Sequence, residues 1–106
     1  MAISTSINQD GKGVRIIING RFEFSQHEEF REAYAGVEPE STSFIIDLTD
    51  TSYMDSAALG MLLVLRERAG GSNSDITLSG YNKSIRQILE ISHFDDLFKL
   101  DGGLLA

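Results

Sequence analysis

Apolar and polar residues alternate from Ile3 to Ile7, and a β-branched run from Val14 to Ile18 follows a turn-rich stretch, Asn8 to Gly13. This pattern predicts two strands joined as a β-hairpin. Asp10-Gly11 can supply the positive φ that a turn between twisted strands requires, in a loop longer than two residues. After Asn19-Gly20 the period changes. Ser25-Gln26-His27-Glu28 has the spacing of a capping box, with Ser25 accepting from the third helical amide and Glu28 reaching back. Phe30, Tyr34 and Val37 recur at helical spacing until Gly36 and Pro39 close the element, which predicts a first helix over roughly residues 26–35.

Phe44-Ile45-Ile46-Asp47-Leu48 is short and apolar on both faces, as a buried central strand would be. Asp50 to Asp55 reads as a connecting loop. From Ser56 good helix formers dominate, with Leu59, Leu62, Leu63 and Arg66 on the inward rows of a central helix. Gly70 to Ser74 stops it, and Ile76-Thr77-Leu78 gives another short strand. Asn82 or Ser84 caps a third helix carrying Ile85, Ile88, Leu89 and Ile91, with Lys83 and Arg86 outward. Phe94, Leu97, Phe98 and Leu100 return apolar side chains to the core in a final short helix and strand.

The order β-β-α-β-α-β-α-(α)-β implies right-handed crossovers and a mostly parallel sheet. A chain of 106 residues is too short to cover both faces of a full doubly wound sheet. The fold expected is therefore α/β, a four- to five-stranded mostly parallel sheet with helices packed largely on one face, in a single domain over residues 1–106.

Composition narrows the function. With 42% hydrophobic residues the chain can bury one modest core. Nine basic against sixteen acidic residues, a net charge of -7, set the mean field against nucleic acid and anionic membranes. No cysteine and two histidines leave no thiolate- or imidazole-rich metal site. The first residues lack the pattern of a signal peptide. The apolar run from Ala57 to Leu65 falls well short of the roughly 20 residues needed to cross a bilayer. A cytoplasmic protein without membrane insertion, metal or cofactor is expected.

The candidate chemistry lies between Asp47 and Gly60, where a buried strand leads the chain to a hydroxyl at a helix start. Asp55 or Ser56 suits the N-cap. Free amides and partial positive charge at such a terminus favour an anion, so Ser56 stands where a phosphoryl group is tolerated. Catalysis is not expected: Ser56 lacks a Gly-x-Ser-x-Gly elbow, and His27 and His93 have no recognisable partner spacing. Gly11-x-Gly13 is too short for a nucleotide loop. Arg66-Glu67-Arg68 reads as an exposed helix end and Asp95-Asp96 as a helix start.

The run Tyr53-Met54-Asp55-Ser56-Ala57-Ala58-Leu59-Gly60 resembles the signature of STAS domains, above all the bacterial anti-sigma-factor antagonists, whose usual form is Asp-Ser-Ser-Gly-Leu-Gly. Gly20-Arg21-Phe22-Glu23 resembles that family's Gly-Glu-Leu-Asp. Ser92 to Phe98 resembles its Ser-Gly-Leu-x-x-x-Phe segment, so the likeness spans nearly the whole chain. It implies phosphorylation at Ser56. Ala57-Ala58 replaces the usual Ser-Gly, removing a second hydroxyl, and Glu23 replaces an Asp beside the phosphorylation loop.

The resemblance further implies partner switching. Unphosphorylated, such a protein binds an anti-sigma factor that is itself a GHKL-type serine kinase and so frees a sigma factor; phosphorylated, it lets go, and a PP2C-like phosphatase resets it. Partner contacts are then expected from Thr51, Ser52, Met54 and Asp55 in the loop, Met61 on the helix and Glu23. Met54 and Tyr53 suit core filling equally well. The free domain is expected to be monomeric. The alternative is a STAS subunit that docks to a lipid-transport ATPase or a stress-sensor complex without a phosphorylation cycle.

Overall fold

A computed structural model describes residues 2–7 and 12–102. The chain runs β1 (Ile3–Ile7), β2 (Gly13–Ile18), β3 (Gly20–Phe22), α1 (His27–Ala33), β4 (Ser43–Asp47), β5 (Thr51–Met54), α2 (Ser56–Arg68), β6 (Asp75–Ser79), α3 (Lys83–Ile91) and β7 (Lys99–Asp101). Five strands form one sheet in the order β1-β2-β4-β6-β7, while β3 and β5 pair separately. Strand β1 is antiparallel to β2 and every other pairing is parallel. The hairpin, the mostly parallel sheet and the α/β class agree with the sequence pattern. The Asp10-Gly11 turn lies outside the described residues.

Register explains the core. Ile16, Ile46 and Leu78 are side by side across β2, β4 and β6, and all three are fully buried. Because side chains alternate along a strand, this inward row carries Val14, Ile18, Phe44 and Ile76 with it. The helices cover that face with Phe30 from α1, Ala58, Leu62 and Leu65 from α2, and Ile85 and Leu89 from α3. Burying each Leu or Ile stabilises by roughly 1.5–3 kcal/mol. The opposite face is left half-covered and polar, with ion pairs Arg15–Asp47 at 2.9 Å and Lys99–Asp75 at 2.8 Å.

Several local expectations are corrected. Residues 51–54 form strand β5, not loop, because the partner strand β3 arrives from about thirty positions upstream, with a register shift between Gly20 and Arg21. Ser25 does not begin the first helix: a 3-10 turn spans Phe24–Gln26, α1 starts at His27, and the reach-back bond comes from Gln26, whose Oε1 accepts from Glu23 N at 2.8 Å. In α2 the buried row is Ala58, Leu62 and Leu65, whereas Leu63 is 39% exposed and Val64 48%. A helix that is apolar on most sides does not reveal its inward face through periodicity. Ile91 likewise points outward. At α3 the cap is Asn82, whose Oδ1 accepts from Ile85 N at 2.9 Å while its Nδ2 donates to Thr51 O at 3.3 Å.

Candidate functional site

Strand β4 ends in a tight turn made by its last residue. Asp47 Oδ1 accepts from Thr49 N at 3.0 Å and from Thr49 Oγ1 at 2.6 Å, folding the chain back as an Asx-type turn. Burial pushes the Asp47 carboxyl upward, but the bonds from Thr49 and Arg15 outweigh it and hold the group below its ordinary value. Gly20 N then donates to Asp50 O at 2.9 Å, and Thr51 Oγ1 to Ile18 O at 2.8 Å, so β5 is laid along β3.

This pairing delivers Asp55 to the start of α2. Its backbone is extended, at φ -102° and ψ 180°, as an N-cap requires. Oδ1 accepts from Ala58 N at 2.8 Å and Oδ2 from Phe24 N at 3.2 Å. One carboxylate thus caps α2 and fastens the chain following β3. The choice between Asp55 and Ser56 as cap is decided for Asp55, which leaves Ser56 as the first helical residue. Ser56 is exposed, and its hydroxyl makes no hydrogen bond to another described residue. It lies beside the uncapped amides of the first turn, where an added anion is favoured.

Position along α2 fixes what surrounds the hydroxyl. Residues four, seven, eight and eleven places beyond Ser56 share its face. They are Gly60, Leu63, Val64 and Glu67, and Leu63 and Val64 are large apolar groups left in solvent. On the neighbouring strands the Arg21 guanidinium sits 4.1 Å from the centre of the Tyr53 ring and donates to Glu23 Oε1 at 3.1 Å. Phe24, 66% exposed, stacks on His27 with ring centres 5.2 Å apart.

The expected contact residues therefore divide. Ser52 and Ser56 are exposed, and Asp55, Glu23 and Met61 are half-buried and can still meet a partner. Thr51 and Met54 are 1% and 4% exposed and belong to the core. Burial takes them out of any contact surface, and for Met54 the core-filling alternative holds. Sequence patterning missed Arg21, Phe24, Leu63 and Val64. For Phe24 a signal existed, an aromatic residue at a turn with no place in either helical row; for Leu63 and Val64 the uniformly apolar helix hid it.

For metal binding, the grouping among the described residues whose ligand atoms lie within 4.8 Å of one another is His93, Asp95 and Asp96, all exposed, on the turn that follows α3. No helix among the described residues is long and apolar enough to cross a membrane.

The family model described as MlaB, STAS domain, matches residues 5–104. A STAS-domain containing protein of Pseudomonas aeruginosa (strain UCBPP-PA14) is 45% identical over 100 residues, covering 94% of this chain and 99% of that protein. Among solved structures, an anti-sigma factor antagonist from Mycobacterium paratuberculosis superposes with a TM-score of 0.77 at 18% identity, over 96% of this chain and 87% of the other. The Bacillus cell fate determinant SpoIIAA in its phosphorylated form gives 0.71 at 16% identity, over 93% and 90%. At such identities the structures share the fold, while the sequence matches carry the relationship. The chain belongs to the STAS-domain family.

Proposed function

We propose that this protein is an anti-sigma-factor antagonist that works by partner switching. Its unphosphorylated α2 face binds an anti-sigma factor with GHKL-type serine kinase activity, freeing a sigma factor, and phosphorylation of Ser56 releases the complex until a PP2C-like phosphatase resets it. The cycle runs in the cytoplasm, with the free domain monomeric. The observation that carries this reading is the exposed Ser56 hydroxyl at the first position of α2, on one face with the solvent-exposed Leu63 and Val64.

A phosphate there brings about −1.5 to −2 charges to a surface shaped around a neutral hydroxyl, with Asp55 adjacent. Its own chain tolerates the charge, because first-turn amides face it, whereas a partner packed on the same face meets repulsion and desolvation. A penalty of about 3 kcal/mol weakens binding by more than a hundredfold. No refolding of the domain is needed.

Incubation with the GHKL-type kinases of the same genome and ATP, followed by mass spectrometry, should find phosphate on the Ser56 peptide. Ser56→Asp should lose kinase binding and Ser56→Ala keep it; equal binding of both by calorimetry refutes the switch. The MlaB description of the family model, together with Ala57-Ala58 in place of Ser-Gly, favours a second reading, docking to a lipid-transport ATPase or a stress-sensor complex without phosphorylation. Recovery of such an ATPase and no kinase in affinity pull-downs would decide for it.

A further inference from the structure

A groove of about 160 Å³ opens between α1 and α2. Its floor is apolar: Phe30 and Tyr34, 1% and 4% exposed, from the α1 side, and Met61 and Val64 from α2. Its rim carries two guanidiniums, Arg31 on the α1 side, where His27 also lies, and Arg68 on the other. The helical spacing brings these together, since residues three, four and seven apart share a face.

The two arginines are uncommitted. The described ion pairs are Arg15–Asp47, Arg21–Glu23, Arg86–Glu90 and Lys99–Asp75, and neither Arg31 nor Arg68 makes a side-chain hydrogen bond to another described residue. Both line the groove together with Tyr34; burial raises the Tyr34 phenol above its ordinary value, and the charges of Arg68 and Arg31 act against the rise. In a chain of net charge -7, two guanidiniums outside the described ion pairs line one apolar groove from different helices. Surface arginines ordinarily lay their stems on apolar surface with the head in water. What sets this pair apart is that both line the same groove, one from each helix.

Size decides the kind of occupant. A cavity of about 150 Å³ takes one benzene ring, whereas pockets for small-molecule ligands run to about 300–1,000 Å³. The groove therefore suits one large side chain, delivered by a body that covers the rest, as anchor residues do at protein interfaces. The guanidiniums select carboxylates, which they can bind in bidentate fashion. Val64 belongs both to the groove wall and to the Ser56 face, so the two surfaces are continuous.

We propose that the α1–α2 groove is a docking site for an acidic amphipathic segment of the partner protein, which seats one Phe- or Leu-sized side chain over Met61 and pairs its carboxylates with Arg31 and Arg68. The proposal rests on the reading of α2 as the docking helix. The test is a titration of the ¹⁵N-labelled chain, followed by NMR, with an N-acetylated, C-amidated Ala-rich helical peptide carrying one Phe flanked by Glu one turn to either side.

Shift changes should gather on the groove residues. Affinity should fall at least tenfold for the peptide with Lys in place of Glu, for the peptide with Ala in place of Phe, and for the Arg31→Glu/Arg68→Glu protein. The peptide exchanges leave the protein untouched, so the result stands even if the double variant unfolds. Equal binding of the Lys peptide, shifts confined to the open face of the sheet, no shifts at millimolar peptide, or benzoate alone binding as tightly with the same shifts would each overturn it. No kinase enters this titration. Peptide binding without phosphorylation of Ser56 would defeat partner switching and leave the groove; phosphorylation without peptide binding would do the reverse.

Discussion

Replacing Asp55 by Ala removes one carboxylate and two hydrogen bonds, those from Ala58 N at 2.8 Å and from Phe24 N at 3.2 Å. Loss of an N-cap typically costs ~1 kcal/mol. The bond to Phe24 N is solvent-exposed, so it adds the lower end of a hydrogen bond's net worth, ~0.5 kcal/mol. The sum, ~1.5 kcal/mol, corresponds to a fall in Tm of roughly 6–12 °C for a domain of this size. Asp55→Asn keeps an acceptor for Ala58 N but puts an amide NH2 where Oδ2 met Phe24 N, so it loses that bond as well as the charge at the helix start, ~1 kcal/mol together. Urea and thermal unfolding followed by circular dichroism would measure both variants. The double role is refuted if Asp55→Ala costs no more than Asp55→Asn, or if Phe24 N is equally protected from hydrogen exchange in the wild type and in Asp55→Ala.

Other outcomes follow from single positions. His93 is the one described non-glycine residue at positive φ, 59°, where a side chain is strained; His93→Gly should raise stability by up to about 1 kcal/mol in urea unfolding, the relief exceeding the entropy glycine adds to the unfolded chain. Asp75, held below its ordinary value by hydrogen bonds from Lys99 and Ser43, and Asp47 have depressed folded-state pKa values. Their contribution is present above the unfolded-state value of about 3.9 and disappears as pH falls through the lower folded-state values. Unfolding monitored between pH 5 and 2 should therefore show an acid limb that Asp47→Asn/Asp75→Asn flattens.

His93 also shows how a family pattern becomes physics. It stands where the resembled segment carries glycine, and the left-handed backbone there is the reason glycine suits the place. Sequence patterning placed the hairpin, the buried strand at Phe44 to Leu48 and the three helices, because each rests on a period or a cap contained within its own segment. It could not see β3 or β5. Each is three or four residues long and becomes a strand only through hydrogen bonds to the other, some thirty residues away in the chain.

The site divides along the same line. Local spacing alone determined that a helix begins at Asp55-Ser56 and that its terminus suits an anion, since capping and dipole effects act within one turn; that Asp55 takes the cap and leaves the Ser56 hydroxyl free was decided only by the structure. Only tertiary structure decided that Thr51 and Met54 point inward, that Leu63 and Val64 point outward beside Ser56, and that Arg31 and Arg68 line one groove. Those outcomes depend on which side of an almost uniformly apolar helix the sheet and α1 happen to cover, and that is a property of packing between segments distant in sequence.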